Sequence, residues 1–169
     1  MFHKVDTDLN FIEREDKIRN FWKDHQIFEK SIETRAQGIP YVFYDGPPTA
    51  NGKPHIGHVL ARVFKDMVPR YRAMKGYMVP RKAGWDTHGL PVELEVEKNL
   101  GLDGKEQIET YGLEPFISHC KESVWKYKGM WEDFSNTVGF WADMENPYVT
   151  YHNHFIESEW WALKQIWGK

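Results

Sequence analysis

Tyr41-Val-Phe-Tyr-Asp45-Gly-Pro-Pro-Thr-Ala-Asn-Gly-Lys-Pro-His55-Ile-Gly-His58 is the stretch whose reading decides the fold. Its first four residues are β-branched or aromatic and predict a short buried strand, broken sharply by Asp45-Gly46-Pro47-Pro48. Beyond the loop 49–54, Ile56, Val59, Leu60, Val63, Met67 and Val68 recur on one face of a helix. That helix begins near Pro54 or His55, since proline suits a first turn, and Pro69 is expected to end or kink it. Tyr77-Met-Val-Pro80 predicts a second strand, followed by the glycine-rich turn Gly84-Trp-Asp-Thr-His-Gly89. Strand, loop, helix, strand is half of a parallel α/β unit, in which ligands sit at the carboxyl ends of the strands.

Upstream, Ile18, Phe21, Trp22 and His25 predict a helix from Phe11 to Phe28, with Asn10 as N-cap and Glu13 completing a capping box. Residues 30–40 read as a connector. Downstream the pattern is helical: Phe116, Cys120, Tyr127, Trp131 and Phe134 share one spacing, Ile156, Trp160, Leu163 and Trp167 another, and Met144-Glu-Asn-Pro147 marks a turn. Six of the eight tryptophans fall in the last 45 residues, and large apolar side chains so near a terminus are expected to have something to pack on.

With 169 residues, 41% hydrophobic and 28% charged, the chain is about one soluble domain and neither a disordered nor a collagen-like sequence. No apolar run approaches the roughly 18 residues of a membrane span, and the N-terminus has no apolar core of signal type, so the expected location is cytoplasmic. The single cysteine, Cys120, excludes an internal disulfide and a cysteine-rich zinc site. A net charge of −3 argues against a nucleic-acid binder held by overall charge. Arg62, Lys65, Arg70, Arg72, Lys75, Arg81 and Lys82 nevertheless stand against Asp66 alone. Such a segment could face polyphosphate or RNA, or could be a solvated helix face.

His55 and His58 lie three apart in the first turn of the second helix, on one face, where unpaired backbone N–H groups and the helix dipole favour an anion. Gly57 between them lets a flat group such as a purine approach the backbone. The dinucleotide and P-loop glycine patterns are absent, and a zinc pair would need further ligands for which His88, His152 and His154 are distant candidates. Asp86, in the second glycine-rich turn, could accept from a substrate ammonium or bond to its own turn. His88 reads as structural, His152 and His154 as surface or packing residues, and nothing marks Cys120 as reactive.

Pro47-Pro-Thr-Ala-Asn-Gly-Lys-Pro-His55-Ile-Gly-His58, with Gly84-Trp-Asp-Thr-His-Gly-Leu-Pro-Val-Glu-Leu-Glu-Val-Glu-Lys98, closely resembles the class I aminoacyl-tRNA synthetases, and among them the isoleucyl type. Phe140-Trp-Ala-Asp-Met-Glu-Asn-Pro-Tyr-Val-Thr-Tyr151 and Phe155-Ile-Glu-Ser-Glu-Trp-Trp161 resemble it too, so the likeness runs from about Phe21 to Lys169. The resemblance implies an α/β chain made of the first half of a class I Rossmann-type nucleotide-binding fold. It implies an N-terminal helical arm and connector over residues 1–40 and the first half of the catalytic domain over 41–89. Residues 90–169 would be the helical start of the connective insertion.

The implied enzyme is a ligase that activates isoleucine with ATP and passes it to tRNA(Ile). His55 and His58 would be catalytic. Thr49, Asn51, His55, Gly57 and His58 would bind ATP together with Mg2+, and Gly46, Pro47 and Asp86 would hold isoleucine. No metal site is implied within the chain. Zn2+ and most tRNA contacts would belong to parts absent here, as would the Lys-Met-Ser-Lys-Ser loop, the editing domain and the anticodon-binding helices. The chain is accordingly expected to be an N-terminal fragment, inactive alone, of a monomeric enzyme. A stand-alone nucleotidylyltransferase of the same His-x-Gly-His superfamily, or a non-catalytic nucleotide-binding module, are the alternatives.

Overall fold

The computed structural model describes residues 4, 7, 9–49 and 51–169; the remaining start of the arm and Ala50 lie outside it. Helix α1 (Phe11–Asp24) opens on Asn10, whose side-chain oxygen accepts from the Glu13 N–H at 3.2 Å. The expected single helix to Phe28 is two helices. Gln26 takes a left-handed backbone, φ 50°, and starts α2 (Ile27–Glu33), which occupies part of the expected connector. Trp22 and Phe28 lie against Trp141, at 5.0 and 6.1 Å between ring centroids, and attach these helices to the body.

Three parallel strands form the sheet, in the order β1 (Phe43–Tyr44), β2 (Arg81–Trp85), β3 (Asp143–Val149). The second strand lies later than expected. Met78 makes only an isolated bridge to Pro40, and Gly84 and Trp85, read as turn, form the buried carboxyl end of β2. Between β1 and β2 runs α3 (Ile56–Met74), with Pro69 inside it and buried. An interior proline costs about 3 kcal/mol. Here the turns on both sides of it are pinned. Lys65 binds Asp45, Asp66 binds Arg81, and Arg70 donates to the Gly139 carbonyl at 2.6 Å.

The helix packs on the sheet by an unexpected face. Arg62, Pro69 and Ala73 are buried, while Ile56, Leu60, Val63, Met67 and Val68 are exposed. The basic segment is folded inward as well. Arg62 and Lys65 bind Asp45, Arg70 and Arg81 bind Asp66, and Arg72 lies 5.0 and 5.2 Å from the Tyr41 and Tyr77 rings. Five of the seven cations are therefore committed to groups of the chain itself, and this segment is neither a free polyphosphate surface nor a solvated face. Burial pushes the Arg81 guanidinium down to about 10, with Asp66 opposing the shift.

Helices α4 (Leu90–Leu100), α5 (Lys105–Tyr111), α6 (Leu113–Ser123) and α7 (Lys128–Thr137) fill the second crossover. The expected turn at Met144 to Pro147 is instead a bulge within β3: Lys82 and Gly84 of β2 oppose Asp143 and Tyr148. Asp143 accepts from the Asn146 N–H at 3.0 Å inside the bulge. Pro147 is compatible with an edge strand, which β3 is. Gly84 is required here, because a Cβ would lie 2.2 Å from the Tyr148 ring that crosses it.

Trp85, Trp131 and Val149 form the main core with Trp125, Tyr127, Phe134 and Tyr151 around them, and Val92 packs on Val124 next to Cys120. Of the six late tryptophans, Trp125, Trp131 and Trp141 are packed. Trp160, Trp161 and Trp167, on the terminal helix α8 (Asn153–Trp167), are exposed.

Candidate active site

Both motifs emerge at the carboxyl ends of neighbouring parallel strands. Thr49 and Asp86 form an isolated parallel bridge, and the Asp86 N–H donates to the Pro48 carbonyl at 3.1 Å, so the two loops lie side by side.

His55 is the N-cap of α3, and Nδ1 of its ring accepts from the Gly57 N–H at 3.1 Å. His58 reaches back, its Nδ1 accepting from the His55 N–H at 3.0 Å. The pair is a capping box in which two imidazoles take the places usually held by a hydroxyl and a carboxylate. A backbone N–H can only donate, so each Nδ1 must be unprotonated. The proton of each neutral ring is then on Nε2, leaving two N–H donors at a helix N-terminus. Burial, then the His55 ring, then the charges of Arg62 and Lys65 hold His58 below the ordinary imidazole range. A Cβ on Gly57 would lie 3.0 Å from His55 Cε1, so glycine here first makes room for the capping ring.

The loop after β1 is held from below. Asp45 is buried between Arg62 Nη1 at 2.9 Å and Lys65 Nζ at 2.8 Å. Lys65 also donates to the Gly46 carbonyl at 2.7 Å. Tyr148 donates its hydroxyl proton to the Asp45 carbonyl; burial, with Asp45 and Asp86 nearby, pushes that phenol up, so it stays a donor. Pro47 is half-buried beside these groups, and Gly46 and Thr49 are exposed. The Asn51 amide donates to the Pro91 carbonyl at 3.2 Å.

Asp86 is half-buried, and its carboxylate has no hydrogen-bond or ion-pair partner among the described residues, so it does not cap its own turn. The residues after it are clasped by those that follow β3. Thr150 Oγ1 accepts from the Thr87 N–H at 2.9 Å and lies 2.7 Å from His88 Nδ1, and Thr87 Oγ1 accepts from the Tyr151 N–H at 3.2 Å. His88 is thus tied to the scaffold. His152 and His154 begin α8, 5.5 Å apart between ring centroids. Burial, then Glu93 and Glu97, push the Cys120 thiol up, which makes it a poor nucleophile.

Sequence reasoning passed over Arg62, Lys65, Tyr148 and Trp131 as parts of this site. The first two had a signal, being cations one and two turns beyond the histidines with a buried acid ahead of them. Trp131 had none, since its contact spans 79 residues of chain. No helix among the described residues is long and apolar enough to cross a membrane.

A nucleotide-fold half-sheet with histidines capping its first crossover helix defines a class, and comparison with known proteins agrees: the chain belongs to the class I tRNA synthetases of the I, L, M and V group, whose family model matches residues 17–169. Within that class it is similar to isoleucine–tRNA ligases, at 61% identity to that of Clostridium novyi and 62% to that of Clostridium kluyveri, over all 169 residues. The chain spans 16% of the length of each of these two relatives. An isoleucine–tRNA ligase of Dehalococcoides mccartyi is 53% identical over the same span. Among solved structures, the agnB2 LeuRS of Agrobacterium radiobacter K84, crystallised as a ternary complex with tRNA and LeuAMS, shares the fold. The TM-score is 0.61 at 19% identity, over 88% of this chain and 17% of that one.

Proposed function

We propose that this chain carries the ATP- and isoleucine-binding half-site of an isoleucine–tRNA ligase, acting in the cytoplasm within a monomeric enzyme. The observation that carries the reading is the pairing of two Nδ1-capped histidines, whose Nε2 atoms have no partner among the described residues, with an Asp86 carboxylate on the adjoining loop that has none among them either. The identity to isoleucine–tRNA ligases along the whole chain favours this over a stand-alone nucleotidylyltransferase or a non-catalytic module.

In this reading a carboxylate oxygen of isoleucine attacks the α-phosphorus of ATP, and pyrophosphate leaves. His55 and His58 donate to the phosphate oxygens as charge shifts onto them. Thr49, Asn51 and Gly57 complete the ATP contacts, and Mg2+ arrives with the triphosphate as part of the substrate. Asp86 accepts from the isoleucine ammonium, and Gly46 and Pro47 border its side chain. Transfer to tRNA(Ile), and any Zn2+, belong to the length of the relatives that this chain does not span. Residues 1–40 serve as the arm and 41–89 as the first half of the catalytic fold. Residues 90–169 begin the insertion and also lend β3 to the sheet.

The test is isoleucine-dependent exchange of pyrophosphate into ATP, on the polypeptide at the length its source cells make. His58→Ala should lower kcat by about a hundredfold or more. Asp86→Ala should raise KM for isoleucine about tenfold or more and leave KM for ATP unchanged. Exchange driven by a different amino acid, or indifferent to both substitutions, would sink the reading.

A further inference from the structure

Trp131 is 3% exposed and stands on α7, in the segment that follows both motifs. One side of its indole packs with Trp85 and Val149 of the sheet. The other meets His58, ring centroids 4.7 Å apart and planes at 70°, an edge-to-face contact. Its Nε1–H donates to the Gly52 carbonyl at 2.9 Å, in the loop that leads into the His55 cap. The Arg62 guanidinium, itself bound to Asp45, lies 5.8 Å from the same ring. One side chain thus touches the core, the loop and the second histidine.

We propose that Trp131 is a positioning residue for phosphate binding, setting the ring orientation of His58 and the path of the loop around Gly52. The inference rests on the ligase reading given above. Among the described residues His58 is hydrogen-bonded at one end only, its Nδ1 accepting from the His55 N–H. Against that single anchor the imidazole could still tilt; the indole closes one side and aims Nε2. The same wall covers one side of the ring and favours its neutral form, whose Nδ1 must stay free to accept. The charged and titratable groups facing His58 are His55, Arg62 and Lys65, with Asp45 paired to the two cations; from α7 the facing group is Trp131 itself. The Gly52 bond acts on the other half of the cradle, because it fixes the chain just ahead of the N-cap.

Two variants separate these roles in the native-length polypeptide. Trp131→Phe keeps an aromatic wall and loses the N–H donor; Trp131→Leu loses both. In the pyrophosphate exchange assay both should raise KM for ATP, by about fivefold for one lost hydrogen bond, with KM for isoleucine unchanged. Only Trp131→Leu should move the acid limb of the pH profile of kcat/KM upward, as His58 regains water. NMR titration of the His58 imidazole should report the same upward movement in Trp131→Leu and none in Trp131→Phe. That readout does not need activity. If wild type fails to exchange isoleucine but the His58 titration moves as described, the ligase reading falls and the positioning of His58 stands. If wild type is active and Trp131→Leu changes neither the ATP KM nor the His58 titration, the inference is overturned. A rise in both KM values, with Trp131→Phe no better than Trp131→Leu, would equally overturn it, since that is mere loosening of the core.

Discussion

The imidazoles of His55 and His58 lie 3.8 Å apart between centroids, and each commits its Nδ1 to a backbone N–H of the same helix terminus. Capping therefore occupies one edge of each ring, and the proposed function assigns ligand donation to the opposite edge. His55→Asn keeps an excellent cap acceptor and removes the outward donor; His55→Ala removes both. In urea unfolding His55→Ala should lose about 1 kcal/mol and His55→Asn a few tenths at most. Both should lose exchange activity alike, by about a hundredfold. Equal stabilities for the two variants would show that His55 does not cap α3.

The depressed proton affinity of His58 sets a pH dependence of stability. Burial comes first among its causes, then His55, Arg62 and Lys65. A histidine that binds its proton less readily folded than unfolded contributes stability that is fully present above its unfolded pKa. That stability is lost as pH falls toward the folded value. Protonation would also fill Nδ1 and break the bond from the His55 N–H. Urea midpoints should therefore fall from about pH 7.5 to about pH 5, and His58→Gln, a natural capping-box residue, should flatten part of that fall. Parallel curves for wild type and His58→Gln would refute the assignment.

Thr150 holds the loop that carries Asp86. Thr150→Val keeps the shape but leaves the Thr87 N–H without the acceptor it now has at 2.9 Å, in a buried position. The expected cost is about 1–3 kcal/mol, with a higher KM for isoleucine and rescue of both by Thr150→Ser. A variant as stable as wild type with normal kinetics would remove the clasp from the account of the site.

Gly84 and Tyr148 form a close crossing of neighbouring strands. Gly84→Ala drives a Cβ to 2.2 Å from the Tyr148 ring, so the ring must leave and give up its bond to the Asp45 carbonyl. A loss of about 1–3 kcal/mol is expected by thermal or urea unfolding. Tyr148→Phe, which removes the bond and keeps the ring, should lose only about 1 kcal/mol. If Gly84→Ala costs less than Tyr148→Phe, the Tyr148 ring does not cross Gly84.

The strand, loop, helix, strand unit and the place of His55 at the start of α3 are legible in the sequence, because both rest on local pattern. What escapes is decided at long range. Asn146 and Pro147 carry a real turn signal, but the turn is a bulge absorbed by a strand that pairs with β2 across some sixty residues. Pro69 would end an isolated helix; the ion pairs of Lys65 and Asp66 before it and the Arg70 bond to the Gly139 carbonyl after it keep this one whole. The apolar period of α3 identifies the helix but not the face it turns to the sheet, since Arg62, Lys65 and Asp66 find buried partners there. Asp86 is legible as a candidate. That its carboxylate has no partner among the described residues shows only once the loop is folded against Thr150.

The bonds from Trp131 to Gly52 and from Thr150 to Thr87 reach back 79 and 63 residues along the chain. During synthesis both histidines and the aspartate leave the ribosome well before the residues that immobilise them. The site is thus assembled late, after a loop-closure cost that only the last third of the chain repays. Until then the nascent polypeptide carries His55, His58 and Asp86 beside a β1–β2 pair that still lacks β3.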